Sequence, residues 1–188
     1  MSSHYNLKDH PWWDYLHEDL RELLWQSLAL IEVVEKWEKE EHHIGMRKKA
    51  KDKISATSKH FHDYSFVVFP AAKGYEGFLK TLFLDLGFIK EDDYYGKRFR
   101  VGKALNPHLD KRYRKKESVY DKMVDFCGGT DLADVLWRAW KKCRNILFHW
   151  FPNEKNAISF KEAKGKVGII LNAMDEAFKE CKMEERSK

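Results

Sequence analysis

The fold class this sequence predicts is all-α, an up-and-down bundle of four or five helices carrying a basic irregular insertion. Three observations predict it. Apolar residues recur at three- and four-residue steps in four long stretches. No stretch of useful length alternates with period two, so no strand is expected. Finally, 43% apolar and 35% charged residues, with only 10 Gly and 4 Pro among 188, describe an ordered helical chain with enough apolar mass for one core. The reading is a single domain over 1–188, with 1–12 as a tail and 88–129 as the insertion.

Leu16, Leu20, Leu23, Leu24, Leu28, Ile31, Val34 and Trp37 define the apolar stripe of a first helix over 13–41, with Gly45 as its natural stop. A second helical region over 53–87 runs through Ile54, Phe61, Phe66, Phe69, Phe78, Leu79, Leu82, Phe83 and Leu86 to a stop at Gly87, and Pro70 inside it predicts a kink. Tyr94-Tyr95-Gly96, Asn106-Pro107 and Gly128-Gly129 punctuate residues 88–129, which read as irregular apart from two possible helical turns over 118–126. Thr130 or Asp131 caps a third helix whose apolar face is Leu132, Val135, Leu136, Ala139, Trp140, Cys143, Leu147 and Trp150. Pro152 forces Phe151 out of the helical region, so this helix should finish almost at His149. Ser159-Phe160-Lys161-Glu162 is a capping box before a fourth helix with Phe160, Ala163, Val167, Ile170, Met174, Phe178 and Cys181 on one side. Residues 184–188 should fray.

The charge is unevenly placed. Residues 1–42 carry ten acids and four bases, a net of −6, which leaves +11 for the remainder of a chain whose total is +5. Between Lys97 and Lys116 nine bases face only Asp110, with Tyr94, Tyr95, Phe99 and Tyr113 interleaved or adjacent. Such a pattern suits a polyanion on one face, with aromatic rings stacking on unpaired bases, although a basic loop that merely solubilises the chain has the same composition. Three widely spaced cysteines, Cys127, Cys143 and Cys181, without any C-x-x-C pair, point to a reducing cytoplasm rather than a disulfide framework or a zinc site. His60, His62 and Asp63 scatter over different faces of a helix and read as surface residues, so neither metal nor cofactor is expected. No run has the length to span a bilayer, and no secretory leader is visible. The seven Trp residues, at helical spacing, read most simply as core or interface, with the pair Trp12-Trp13 a candidate dimer staple.

The chemistry concentrates in Arg144-Asn145-Ile146-Leu147-Phe148-His149. Arg holds a phosphate with a bidentate fork, His moves protons near neutral pH, and Asn orients either one. On a straight helix Arg144 and His149 are rotated by about 140° and separated by about 7.5 Å, so a helix ending near Pro152, the reach of the Arg side chain, or a two-fold partner must bring them together. The bland alternative is an ordinary cationic helix end that complements the helix dipole.

The motif Arg144-Asn145-x-x-x-His149 at a helix end, followed by a capped amphipathic helix, resembles the R-x4-6-H signature of HEPN-superfamily ribonucleases. The segment Phe69-Pro70-Ala71-Ala72-Lys73-Gly74-Tyr75-Glu76-Gly77-Phe78-Leu79-Lys80 is similar to the glutamate-bearing helix of RNase LS-type toxins, and Glu76 holds the matching position. The resemblance covers roughly residues 53–182. It implies a HEPN-like bundle acting as a homodimer, which cleaves single-stranded RNA without metal to leave a 2′,3′-cyclic phosphate and a 5′-hydroxyl. It implies Arg144, His149, Glu76 and Asn145 as catalytic residues. Lys80, Lys97, Arg98, Arg100, Lys103 and Lys141 are the candidate RNA contacts. Glu76 has a plainer reading too, as a partner of Lys80 or Lys73 on a solvated face. A protein antitoxin is a further possible partner. In some HEPN toxins a Tyr two residues after the His is modified by a nucleotidyltransferase antitoxin; Phe151 stands there, so neutralisation of that kind is not expected. The alternative function is a non-catalytic helical dimer that binds RNA, nucleotides or a protein.

Overall fold

Eight α-helices and no strand are found among the described residues of the computed structural model, which are 6–48, 61–152, 156–181 and 183, with 41–48 described by backbone alone. The helices are α1 (Glu18–Lys48), α2 (Ser65–Asp85), α3 (Glu91–Tyr95), α4 (Val101–Ala104), α5 (Lys111–Glu117), α6 (Val119–Cys127), α7 (Asp131–Trp140) and α8 (Phe160–Glu180). Five of them, α1, α2, α6, α7 and α8, have nine or more residues.

The apolar content of α2 places it at the centre. Val67, Val68, Ala71, Tyr75, Phe78, Leu79, Leu82 and Phe83 are all fully buried, with α1 on one side and α8 on another. The close approach of α1 depends on two glycines. A Cβ on Gly77 would stand 2.3 Å from Leu20 Cδ2, and one on Gly74 would stand 3.0 Å from Leu24 Cδ2. Apart from Ser65, Phe66 and Asp85 near its ends and the half-buried Gly77, what remains open on α2 is one stripe, Phe69, Lys73, Glu76, Lys80 and Leu84, at helical spacing.

Pro70 does not divide this helix. Proline removes one backbone donor and crowds the preceding turn, a disturbance that disfavours a helix interior unless the freed groups find partners. Ser27, completely buried on α1, supplies one: its hydroxyl donates to the Val67 carbonyl at 2.8 Å and accepts from the Ala71 N–H at 2.8 Å. A side chain inserted into the ladder thus replaces a direct turn next to the proline. Gly87 does end the segment as expected, in the left-handed region at φ +71°.

Other expectations are corrected. The first helix begins at Glu18 rather than 13 and continues through Gly45 to Lys48. Of the expected tail, residues 6–12 are not one, while 1–5 lie outside the described residues. Leu7 and Trp12 are buried, and Trp12 Nε1 donates to Asp175 Oδ1 of α8 at 2.7 Å, so Trp12 belongs to the interior and not to a dimer staple. His10 Nδ1 meets the same carboxylate at 2.8 Å. Residues 88–129 are not an irregular insertion, and the two helical turns expected over 118–126 are present as α6. They form α3 to α6, and Val101, Leu105, Val119 and Met123 enter the same core as α2. Ser118 caps α6 by accepting from Asp121 N, and Gly128 ends it at φ +67°.

Along α7 and the turn after it, Leu132, Leu136, Ala139, Trp140, Cys143 and Leu147 are buried, but Trp150 is 82% exposed. Phe69, placed with the apolar stripe of the second region, is half exposed. The capping box at Ser159 and Glu162 forms, and all seven apolar residues assigned to the fourth helix are buried in α8. Of the second region as predicted, 53–60 lies outside the described residues, as do the terminal residues expected to fray. Among the described residues no helix is long and apolar enough to cross a membrane.

Candidate functional site

Just past α7 the backbone widens into a π turn over Lys141–Asn145, closed by Ile146 N donating to Lys141 O at 3.0 Å. Such a turn holds one residue more than an α turn and is found often at functional sites. From α8, Lys166 Nζ donates to the Lys142 carbonyl at 3.0 Å and so satisfies a backbone acceptor at the widened turn. Residues 146–148 continue as turn, with Phe148 N donating to Arg144 O at 3.3 Å, and the helical path ends before His149. The straight-helix rotation between Arg144 and His149 therefore does not apply.

The π turn presents Arg144 to the open stripe of α2. Its Nη2 donates to Glu76 Oε2 at 3.1 Å, across 68 residues of sequence. Glu76 pairs with this arginine rather than forming the plainer pair with Lys73 or Lys80. The guanidinium carbon also lies 5.0 Å from the centre of the Trp140 ring, a cation–π contact that fixes the group from below. Trp140 is held in turn by α4, where a Cβ on Gly102 would stand 2.4 Å from Trp140 Nε1. One residue before Glu76, the buried Tyr75 donates its hydroxyl to the Leu136 carbonyl at 3.1 Å and locks α2 to α7. Both members of the pair remain partly open, with Arg144 at 38% and Glu76 at 31% side-chain exposure. The pair is thus accessible to an anion that can compete for the guanidinium.

His149 and Asn145 do not join that pair. The His149 ring is exposed and lies 6.3 Å from the Phe151 ring, while its backbone carbonyl accepts from Asn156 Nδ2 at 2.9 Å. No hydrogen bond or ion pair connects its imidazole to Arg144 or Glu76. Asn145 is half-buried in the π turn. Cys143 is fully buried, and burial pushes its thiol up to about 11, against the smaller opposing effect of Lys166 and Lys142. It is therefore not a thiolate nucleophile near neutral pH.

The candidate RNA contacts fall into two groups. Lys80, half-buried on the α2 stripe one turn beyond Glu76, donates to the Tyr94 carbonyl at 3.1 Å. Lys97, Arg98, Arg100, Lys103 and Lys141 are exposed. Arg100 and Lys103 belong to the α4 region, whose Gly102 touches the Trp140 platform, so the basic run approaches the Arg144 site through that contact. Lys103 pairs with Glu117 and lies 4.6 Å from the Tyr113 ring. Arg112 pairs with Asp110 and Arg114 with Asp121, so part of the basic run is neutralised locally.

Among the described residues no three His, Cys, Asp or Glu side chains gather as a metal site would require. Asp63 is occupied otherwise: its carboxylate accepts from Ser65 N, Ser65 Oγ and Ile158 N, joining the start of α2 to the segment before α8. Burial raises its pKa, but these hydrogen bonds and the nearby His62 outweigh that and hold it below the usual aspartate range. His60 lies outside the described residues. Sequence reasoning missed Trp140 as the seat of the guanidinium, and the only signal for it was its i−4 spacing from Arg144.

Compared with protein-family models, with curated proteins and with solved structures, the chain matches none. The functional reading therefore stands on its residues and their geometry.

Proposed function

We propose that the chain is a cytoplasmic, metal-independent endoribonuclease of the HEPN type that cuts single-stranded RNA. The observation that carries this reading is the convergence of Arg144 and Glu76 from segments 68 residues apart, on a guanidinium seated by Trp140 and left open to solvent. In the proposed reaction the ribose 2′-oxygen attacks its own phosphorus as the 2′-hydroxyl loses its proton. The bond from phosphorus to the 5′-oxygen breaks, and that oxygen takes up a proton. The products are a 2′,3′-cyclic phosphate and a 5′-hydroxyl. Arg144 stabilises the negative charge that grows on the non-bridging oxygens. His149 and Glu76 are the groups able to move the two protons, and Asn145 positions the motif.

His149 has to be delivered to the Arg144–Glu76 pair, and a second copy of the chain is the proposed agent. Exposed apolar residues support such pairing: Phe69, Ile146, Trp150 and Phe151 lie on the motif or next to it on the α2 stripe. A site shared in this way makes a specific prediction. Mixing the Arg144→Ala and His149→Ala chains should regenerate one intact site per mixed dimer and restore cleavage that neither variant has alone. No recovery, with dimers present, would rule out the shared site. The biological role proposed is a toxin or defence effector restrained by a protein antitoxin.

The separation of His149 from the pair favours one rival, a helical dimer that binds RNA, nucleotides or a protein without cutting. Incubation with single-stranded RNA in excess EDTA decides between them. Cleavage by the natural chain that disappears in Arg144→Ala supports the enzyme, whereas salt-sensitive affinity with intact RNA supports the binder.

A further inference from the structure

One turn along α2 from Glu76, a cleft of about 420 Å³ opens between α1, α2 and α3, with His17, Asp19, Gly77, Lys80, Tyr94 and Tyr95 on its walls. Its size falls in the range of sites that take small organic molecules. The two tyrosines differ in standing. Tyr94 is anchored, its hydroxyl 3.4 Å from Thr81 Oγ1 and its carbonyl bound by Lys80. Tyr95 meets Tyr94 edge to face at 4.9 Å and is otherwise 79% exposed, the behaviour of a ring that awaits a stacking partner.

Lys80 Nζ spends one donor on Tyr94 and keeps two for an anion. Glu76 and Lys80 lie on the same stripe and about 6 Å apart along the axis, comparable to one nucleotide step of a single strand. The negative Asp19 stands on the opposite, α1 side of the cleft, where it opposes a phosphate but tolerates the edge of a base.

We propose that this cleft is a nucleotide subsite for single-stranded RNA, adjacent to the Arg144–Glu76 pair, in which a base stacks on Tyr95 and its phosphate meets Lys80. The strand then follows the open stripe of α2, with the bond to be cut at Glu76. The inference rests on the ribonuclease reading for the position of the cut but not for the binding itself.

The test separates the two. A fluorescent RNA hexamer methylated at every 2′-oxygen cannot be cleaved, so its affinity reports binding alone. Tyr95→Ala should weaken that affinity by about tenfold, and Tyr95→Phe should leave it near that of the natural chain. Equal affinity of Tyr95→Ala and the natural chain overturns the subsite, as does failure of the natural chain to bind the hexamer. Tyr95-dependent binding in a chain that leaves unmodified RNA intact retires the catalytic reading while the subsite stands. Because Tyr95 is so exposed, the substitution does not threaten folding.

Discussion

Arg144 and His149 are five residues apart, yet they occupy opposite physical situations. The arginine is held from three directions, by Glu76, by the Trp140 ring and by a π turn whose Lys142 carbonyl is braced from α8. The histidine lies beyond the helical turns, exposed, with Phe151 as its ring neighbour. A group aimed at developing charge gains most when its orientation is fixed in advance, since no reorganisation is then needed during reaction. A proton-transfer group need reach its geometry only in the complex with substrate. The cation of the proposed site is thus preassembled, whereas its imidazole would have to be brought to it.

Substitutions at the two residues and at their supports differ widely in expected effect. His149→Ala should lower RNA cleavage by about 10²- to 10⁴-fold, measured as initial rates on a labelled strand, and its exposure means that the melting temperature should hardly move. Arg144→Ala should cost about 10²- to 10³-fold in rate. Because the Arg144–Glu76 ion pair is about one-third exposed, its loss should change stability by less than about 1 kcal/mol in urea unfolding. A large loss of stability in either variant would turn the site into a structural element.

Gly102→Ala comes next. It drives a methyl group into Trp140, whose indole carries the guanidinium, so cleavage should drop by about ten- to hundredfold if the preassembled arginine matters. An unchanged rate in a folded Gly102→Ala chain would show that the Trp140 platform is dispensable. Ser27→Ala is the counterpart on the other side of α2. It leaves a buried carbonyl and N–H without their bridge and should reduce unfolding free energy by about 1–3 kcal/mol, with the cleavage rate of the folded fraction unaltered.

A smaller effect is expected from acid. The Asp63 carboxylate is held below its ordinary range, so its contribution to stability is complete above the unfolded pKa and fades as pH falls through the lower folded value. Denaturant midpoints should therefore decline at acid pH less steeply in Asp63→Asn than in the natural chain. Parallel declines would show that this carboxylate does not join α2 to Ile158 in the way its hydrogen bonds indicate.

Much of this architecture was legible in the sequence. The Ser159–Glu162 capping box and the burial of the apolar stripe from Phe160 to Cys181 follow from local chemistry and a sustained helical period, and both are found along α8 and its C-cap. The stop at Gly87 has the same local character. The helices of residues 88–117 escaped because elements as short as α4, with four residues, hold too little of a period to be recognised and depend on tertiary burial for stability, whereas the turns expected over 118–126 are found as α6. Gly45 misled because glycine costs only about 1 kcal/mol inside a helix and stops one only where the chain turns left-handed. What the sequence could not show at Pro70 is Ser27, the residue that bridges the ladder there, because it lies 43 positions away on another helix.

The candidate site divides along the same line. Arg144, His149 and Glu76 were visible as residue types in a pattern, but nothing in the sequence set Glu76 against Arg144 rather than against Lys73, Lys80 or His149. The π turn, the Trp140 seat and the Gly102 contact were not, because each is set by what packs against the segment.

The most direct test is analysis of the ends of RNA exposed to the purified chain in excess EDTA. The account predicts fragments ending in 2′,3′-cyclic phosphate and beginning with 5′-hydroxyl, produced by the natural chain and absent with Arg144→Ala. Intact RNA, cleavage that appears only when a divalent metal is supplied, or equal cleavage by the variant would contradict it.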